Sequence, residues 1–285
     1  MDEIKIPDDT QEIKTVEDRI AGLVKPEGTL SEETLNILHV HGIELWHSEG
    51  TAYMTVTVKG HKENWAIRSE MGRKYPQKLF YQYFGKPLPK NSLEEVLQTL
   101  EAEAFFDGLE HKIFTRVGVD DQGNIYHDLC NDIWSVVKIT PFGFGEMKYD
   151  VPIKFVRSTD MLPLPIPTCA EYDTEPELLK YLKDIENTLW QLLNLVEEDG
   201  MSDEELNQIK RDRVFAMSWL LAALNPSGPY PLLYLTGEKG SIKSSFSKAL
   251  ARITDPRTAD LVKLPKEDQD LFVLAKNRWV LGFDN

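Results

Sequence analysis

Residues 230–250 read YPLLYLTGEKGSIKSSFSKAL, and the reading of this stretch decides the fold. The leucine- and tyrosine-rich run up to Thr236 has the composition of a buried strand, and the glycines that follow punctuate it. From Lys243 onward the spacing is helical. A strand, a glycine-bearing turn and a helix opening on lysine and serine match the pattern Gly-x-x-x-x-Gly-Lys-Ser/Thr. In that pattern the backbone N–H groups of a tight loop surround phosphates, the lysine reaches the outer ones and the hydroxyl holds Mg²⁺. Gly237, Lys243 and Ser244 fit it. Ile242 stands where the last glycine is expected, with Gly240 two residues earlier as the source of backbone freedom. Helical dihedrals at Ile242 would let its side chain point away from a nucleotide, although the β-branch tightens the approach. Read alone, the stretch is equally a glycine-bearing strand-to-helix turn without a ligand.

A second motif favours the phosphate reading. RWVLGFDN ends an apolar strand at Asp284, 41 residues beyond Lys243. An acid at the end of a parallel neighbouring strand is placed to bind the water shell of the magnesium ion. Asn285 follows directly, so the sequence shows no further strand, sensor residue or arginine finger, and the expectation is a core that is incomplete at its C-terminus. Nucleotide binding is expected ahead of hydrolysis.

Working outward, the chain has 285 residues, 41% of them hydrophobic, enough for two cores. No apolar run approaches the roughly 20 residues that cross a bilayer. The start, MDEIKIPDD, lacks the pattern of a secretory signal, so a cytoplasmic location is the default. The net charge of −15 excludes a protein that coats nucleic acid with its whole surface and leaves room for a local basic patch. Residues 1–35 carry ten acids and four bases, and residues 171–206 carry twelve acids and two bases. Residues 55–90 reverse the sign, with eight bases against two acids.

These shifts outline the organisation. Residues 1–35 form an acidic arm. Residues 36–160 read as an α+β domain: alternating strands around GIELWHS, TAYMTVTV and NWAIRS, two helices, then further strands from HKIFTRVGV to VPIKFVR. Asn91 and Ser92 are cap candidates for the second helix. Residues 161–228 hold a proline-rich connector, MLPLPIPT, and two helices, the second opening on a Ser202-x-x-Glu205 capping box. Residues 229–285 complete the scheme. The expected fold is thus an α+β N-terminal domain followed by helices and an α/β P-loop NTPase domain.

Aromatic residues interleave with the bases of 59–90: Trp65, Tyr75, Phe80, Tyr81, Tyr83 and Phe84. A basic groove with stacking rings would grip single-stranded nucleic acid. The alternative is a helix whose rings enter the core while its lysines are solvated. His39, His41, His127 and Asp128 lack a third partner at ligand spacing, and Cys130 and Cys169 have neither the number nor the spacing of a metal site; both sets read as structural.

The runs WLLAALNPSGPYPLLYLTGEKGSIKSS and DPRTADLVKLPKEDQDLFVLAKNRWVLGFDN, with IYHDLCNDIWSVVKIT, VPIKFVR and MLPLPIP upstream, resemble ATP-binding proteins of phages and integrated mobile elements, relatives of primase-associated, superfamily-3-type replicative helicases. The resemblance implies ATP and Mg²⁺ as cofactors. It implies that Gly237, Glu238, Lys239, Gly240, Ser241, Ile242, Lys243, Ser244 and Ser245 hold the triphosphate, and that Ser244 and Asp284 hold the metal. Lys243, Asp284 and Asn285 take the catalytic positions, although Asn285 stands where such ATPases often carry a glutamate, and an amide cannot accept a proton from water as a carboxylate does. DNA as partner, through residues 59–90, homo-oligomeric rings and hydrolysis coupled to DNA unwinding are the family's further implications. The rival expectation is a non-enzymatic interaction or regulatory module in which the loop is structural only.

Overall fold

The computed structural model describes residues 28–168, 174–237 and 242–284. The acidic arm up to residue 27, Cys169, Glu238 to Ser241 and Asn285 lie outside the described residues. The chain divides into two compact units, the first ending at Ile113 and the second beginning at Phe114.

The first unit opens with α1 (Leu30–Val40), whose Thr29 and Glu32 form a reciprocal capping box. Three antiparallel strands follow, β1 (Glu44–Ser48), β2 (Thr51–Val58) and β3 (His61–Ala66), then α2 (Glu70–Phe84), α3 (Lys90–Phe106) and β4 (Leu109–Glu110). The sheet order is β3-β2-β1-β4, with β4 parallel to β1. Period-two alternation sends Ala52, Met54 and Val56 of β2 to one face, where they pack with Trp65, Ile67, Leu79, Phe80, Leu97 and Leu100. Ser69 caps α2. Gly72 lets that helix sit against the end of β3, since a Cβ there would meet the carbonyl oxygen of Ala66 at 2.3 Å. The N-cap of α3 is Pro89, not Asn91 or Ser92, both of which fall inside the helix. Proline's fixed φ and missing N–H suit a helix start, so the helix begins earlier than the hydroxyl and amide side chains suggest.

In the second unit a short strand pair, β5 (Ile113–Phe114) and β10 (Lys154–Phe155), flanks an antiparallel meander of β6 (Val117–Val119), β7 (Ile125–Asp128), β8 (Val136–Thr140) and β9 (Gly143–Met147). Sequence reading passed over β9 because GFGEM contains few strand formers; its pairing with β8 supplies the order. Helices α4 (Glu175–Leu192), α5 (Asp203–Ala223), α6 (Lys243–Thr254) and α7 (Asp268–Asn277) complete the unit. Trp190, Leu193, Ala216, Leu220 and Leu250 form the core shared by α4, α5 and α6.

The meander therefore belongs with the loop-bearing segment and not, as expected from composition, with the N-terminal strands. The physical reason is a buried ionic network. Arg116 is fully buried; its Nε donates to Asp255 Oδ1 at 2.9 Å, and its remaining nitrogens donate to the carbonyls of Asp128, Leu162 and Pro256. Asp255 Oδ2 accepts from Arg257 Nε at 3.0 Å and from the backbone N–H groups of Trp279 and Val280. Arg157 grips Asp128 through both carboxylate oxygens, at 2.6 and 2.9 Å, and lies over the Trp134 ring. Arg257 and Arg278 converge on Asp160. These contacts tie Arg116, Ser158 and Asp160 of the strand-rich part to the chain that follows α6, while the Arg157–Asp128 pair braces the strand-rich part itself.

Candidate functional site

α6 begins immediately after the glycine-bearing turn. Its N-cap is Ile242, with φ +59° and ψ +3°, and no side chain caps the helix. The helical dihedrals expected at this position are not found. The residue adopts the left-handed conformation that a glycine would take there without strain, and for a β-branched side chain that conformation is a true outlier. That left-handed backbone costs the isoleucine about 1–2 kcal/mol. Ile242→Gly removes that cost but adds freedom to the unfolded chain, so the net expected gain is up to ~1 kcal/mol, a rise in Tm of roughly 2–4 °C for a unit of this size. Differential scanning calorimetry checks it; an unchanged or lower Tm removes the strain argument.

The N-cap side chain of α6 makes no capping bond, and the positive end of the helix dipole faces the turn, where it favours an anion. Lys243 Nζ donates to the carbonyl oxygen of Gly237 at 2.8 Å, folding across the turn. Ser244 Oγ donates to Asp284 Oδ1 at 3.1 Å. Asp284 is held in place by its backbone: Val262 N donates to Gly282 O, and Asp284 N donates to Val262 O, so residues 262 and 283 form a parallel bridge. The structure therefore brings together Gly237, Lys243, Ser244 and Asp284, with Ser245 the third residue of the helix. A hydroxyl and a carboxylate side by side suit Mg²⁺, which takes one or two protein oxygens and fills its remaining positions with water and phosphate. Among the described residues no group of three or more His, Cys, Asp or Glu could hold a metal on its own.

The buried strand expected over residues 230–236 is not found: the segment forms no strand among the described residues. Leu232 is 99% exposed and Tyr234 87%. A cleft of about 1070 Å³ runs beside this segment, between it and α5, and reaches Ile242 and Lys243; Phe215, Trp219, Tyr234 and Phe246 line it. The space beside the turn is thus aromatic-walled and continuous with it.

The histidines and rings singled out above are placed as follows. His39 faces Glu103, and His41 Nε2 contacts Tyr83 Oη at 2.9 Å. Trp65, Tyr75 and Phe80 are buried in the first unit's core, so they form no stacking row, whereas Tyr81 is exposed. Arg68 is engaged by Glu94 and Glu101, and Lys74 by Glu70. His127 is held beneath the C-terminus of α6, 3.4 Å from the carbonyl oxygen of Thr254. Burial, with the Arg116 charge beside it, holds its pKa below the ordinary 6.5. The unfolded chain then binds the proton more readily, so stability rises with pH through that range and falls as pH drops below about 6.5. The urea midpoint of the native protein is expected to fall between pH 7 and 5 more steeply than that of His127→Gln; parallel profiles would assign the acid sensitivity elsewhere.

The residues that sequence reading missed are Arg116, Asp255, Arg257 and Arg278. The available signal was the Asp255-Pro256-Arg257 tripeptide directly after α6, which sets two opposite charges around a proline.

Residues 206–285 match the family model of the actinomycete integrative conjugative element replication protein. This portion of the chain is similar to mobile-element replication proteins. The matched span starts within α5 and takes in the cleft-lining segment, the turn, α6 and Asp284, under a third of the chain in all. It supports a role in mobile-element replication. Neither the comparison with curated proteins nor that with solved structures gave a match. No helix among the described residues is long and apolar enough to cross a membrane.

Proposed function

We propose that this protein binds Mg·ATP through the turn that opens α6 and serves DNA replication of a mobile element as an ATP-binding P-loop protein of the replicative helicase or primase-helicase type. The observation that carries this reading is the Ser244–Asp284 contact at 3.1 Å beside Lys243. Two side chains 40 positions apart meet at an uncapped helix start, where phosphate oxygens and a metal would join them. Lys243, which bonds to the Gly237 carbonyl, would serve the outer phosphates, and Ser244 and Asp284 would hold the metal, which would neutralise phosphate charge. ATP supplies the free energy that such proteins couple to movement on DNA. The first unit offers Lys59, Lys62, Lys78, Lys86 and Lys90 on its exterior as phosphate contacts for DNA. Homo-oligomers, with arginines supplied by neighbouring subunits, and a cytoplasmic location belong to the same reading. Thermal unfolding with millimolar Mg·ATP tests it: Tm rises if the turn takes the nucleotide, and an unchanged Tm leaves the loop a structural feature only.

A further inference from the structure

The meander of the second unit ends in a finger. β8 and β9 pair from Val136↔Met147 to Thr140↔Gly143, leaving Pro141 and Phe142 as a two-residue tip. The tip is fixed: Phe142 N donates to Thr140 Oγ1 at 3.2 Å, Thr140 Oγ1 donates to the Gly143 carbonyl at 3.0 Å, and Gly143 takes φ +138°. On this ordered support Phe142 is 99% exposed, and Phe144 and Tyr149 are also exposed. Isolated apolar side chains on a surface are ordinary. Here three exposed aromatic rings fall within eight residues, one of them wholly in solvent at the end of a braced hairpin. Its charges cancel, with Lys138 and Lys148 set against Glu146 and Asp150.

We infer that the β8–β9 tip is a stacking contact for the unpaired bases of single-stranded DNA, with Phe142 as the principal ring. Size separates this partner from a protein. Aromatic side chains bury about 150–250 Å² each, so the exposed parts of these rings offer roughly 400 Å², about half of the ~800 Å² per partner in a stable protein interface. A single ring is enough to hold a base, because every base presents a π-face. The finger carries no net charge, so its rings rather than phosphate contacts would supply the binding, and the bases of a single strand are free to stack on them. The contact is independent of the nucleotide site and shares with the proposed function only the DNA partner. Fluorescence anisotropy with a labelled 20-nucleotide single strand and its duplex tests it. Phe142→Ala is expected to weaken single-strand binding about ten-fold, to leave duplex binding and the salt dependence unchanged, and to be rescued by Phe142→Trp, whose fluorescence is quenched on binding. The inference is overturned if the native protein fails to bind the single strand, if Phe142→Ala binds it equally well, or if sedimentation shows a dimer that Phe142→Ala dissociates, which would make the finger an interface between copies.

Discussion

Asp255→Ala is expected to lower the unfolding free energy of the second unit by about 3–5 kcal/mol, the range for removing one partner of a buried ion pair. The magnitude follows from what is left behind. Arg116, with no exposed surface, would keep its carbonyl contacts but lose its counter-charge, and Arg257 Nε and the N–H groups of Trp279 and Val280 would lose their acceptor. Asp255→Asn keeps an acceptor oxygen and should fall between the mutant and the native protein. A solvent-facing pair gives the contrast: Arg68 bridges Glu94 and Glu101 at the surface of the first unit, and Arg68→Ala should cost under about 1 kcal/mol because water and salt screen it. Urea unfolding checks both, and a loss below 1 kcal/mol for Asp255→Ala would show that the network does not hold the meander to the loop-bearing segment.

Lys243→Ala is expected to abolish the stabilisation conferred by Mg·ATP. A ligand at one hundred times its Kd stabilises the folded state by about 2.7 kcal/mol, or roughly 5–10 °C in Tm for a unit of this size. The stability of Lys243→Ala without nucleotide is measured alongside, so that the loss of the Gly237 contact is separated from the nucleotide effect. Asp284→Asn should reduce the magnesium dependence of the shift while retaining part of the nucleotide effect, because the metal contact weakens and the phosphate contacts remain. Lys248→Ala, on an exposed position of the same helix, serves as the neutral control. An equal Mg·ATP shift in the native protein and Lys243→Ala would place the nucleotide elsewhere.

Much of the local structure was legible because it depends on near neighbours. The alternation in TAYMTVTV marks β2, the capping box at Ser202 and Glu205 marks the start of α5, and the glycine-bearing turn before Lys243 marks α6. In the candidate site, residue type and spacing single out Gly237, Lys243, Ser244 and Asp284, and the meeting of Ser244 with Asp284 follows once Asp284 is fixed against Val262.

The helices and the strands β1 to β3 are legible in the sequence, since periodicity, capping and turn chemistry act over a few residues, whereas the β8–β9 hairpin and the unpaired course of 230–236 are not. Tertiary structure alone decided that the meander joins the second unit, that Ile242 takes a left-handed backbone, and that the rings of 65–80 fill a core while Phe142 stands in solvent. Each of these depends on contacts between residues far apart in the chain, as Arg116 with Asp255 shows at a separation of 139 positions. Charge and ring type are written in the sequence, but burial is a property of the neighbours that folding brings to them.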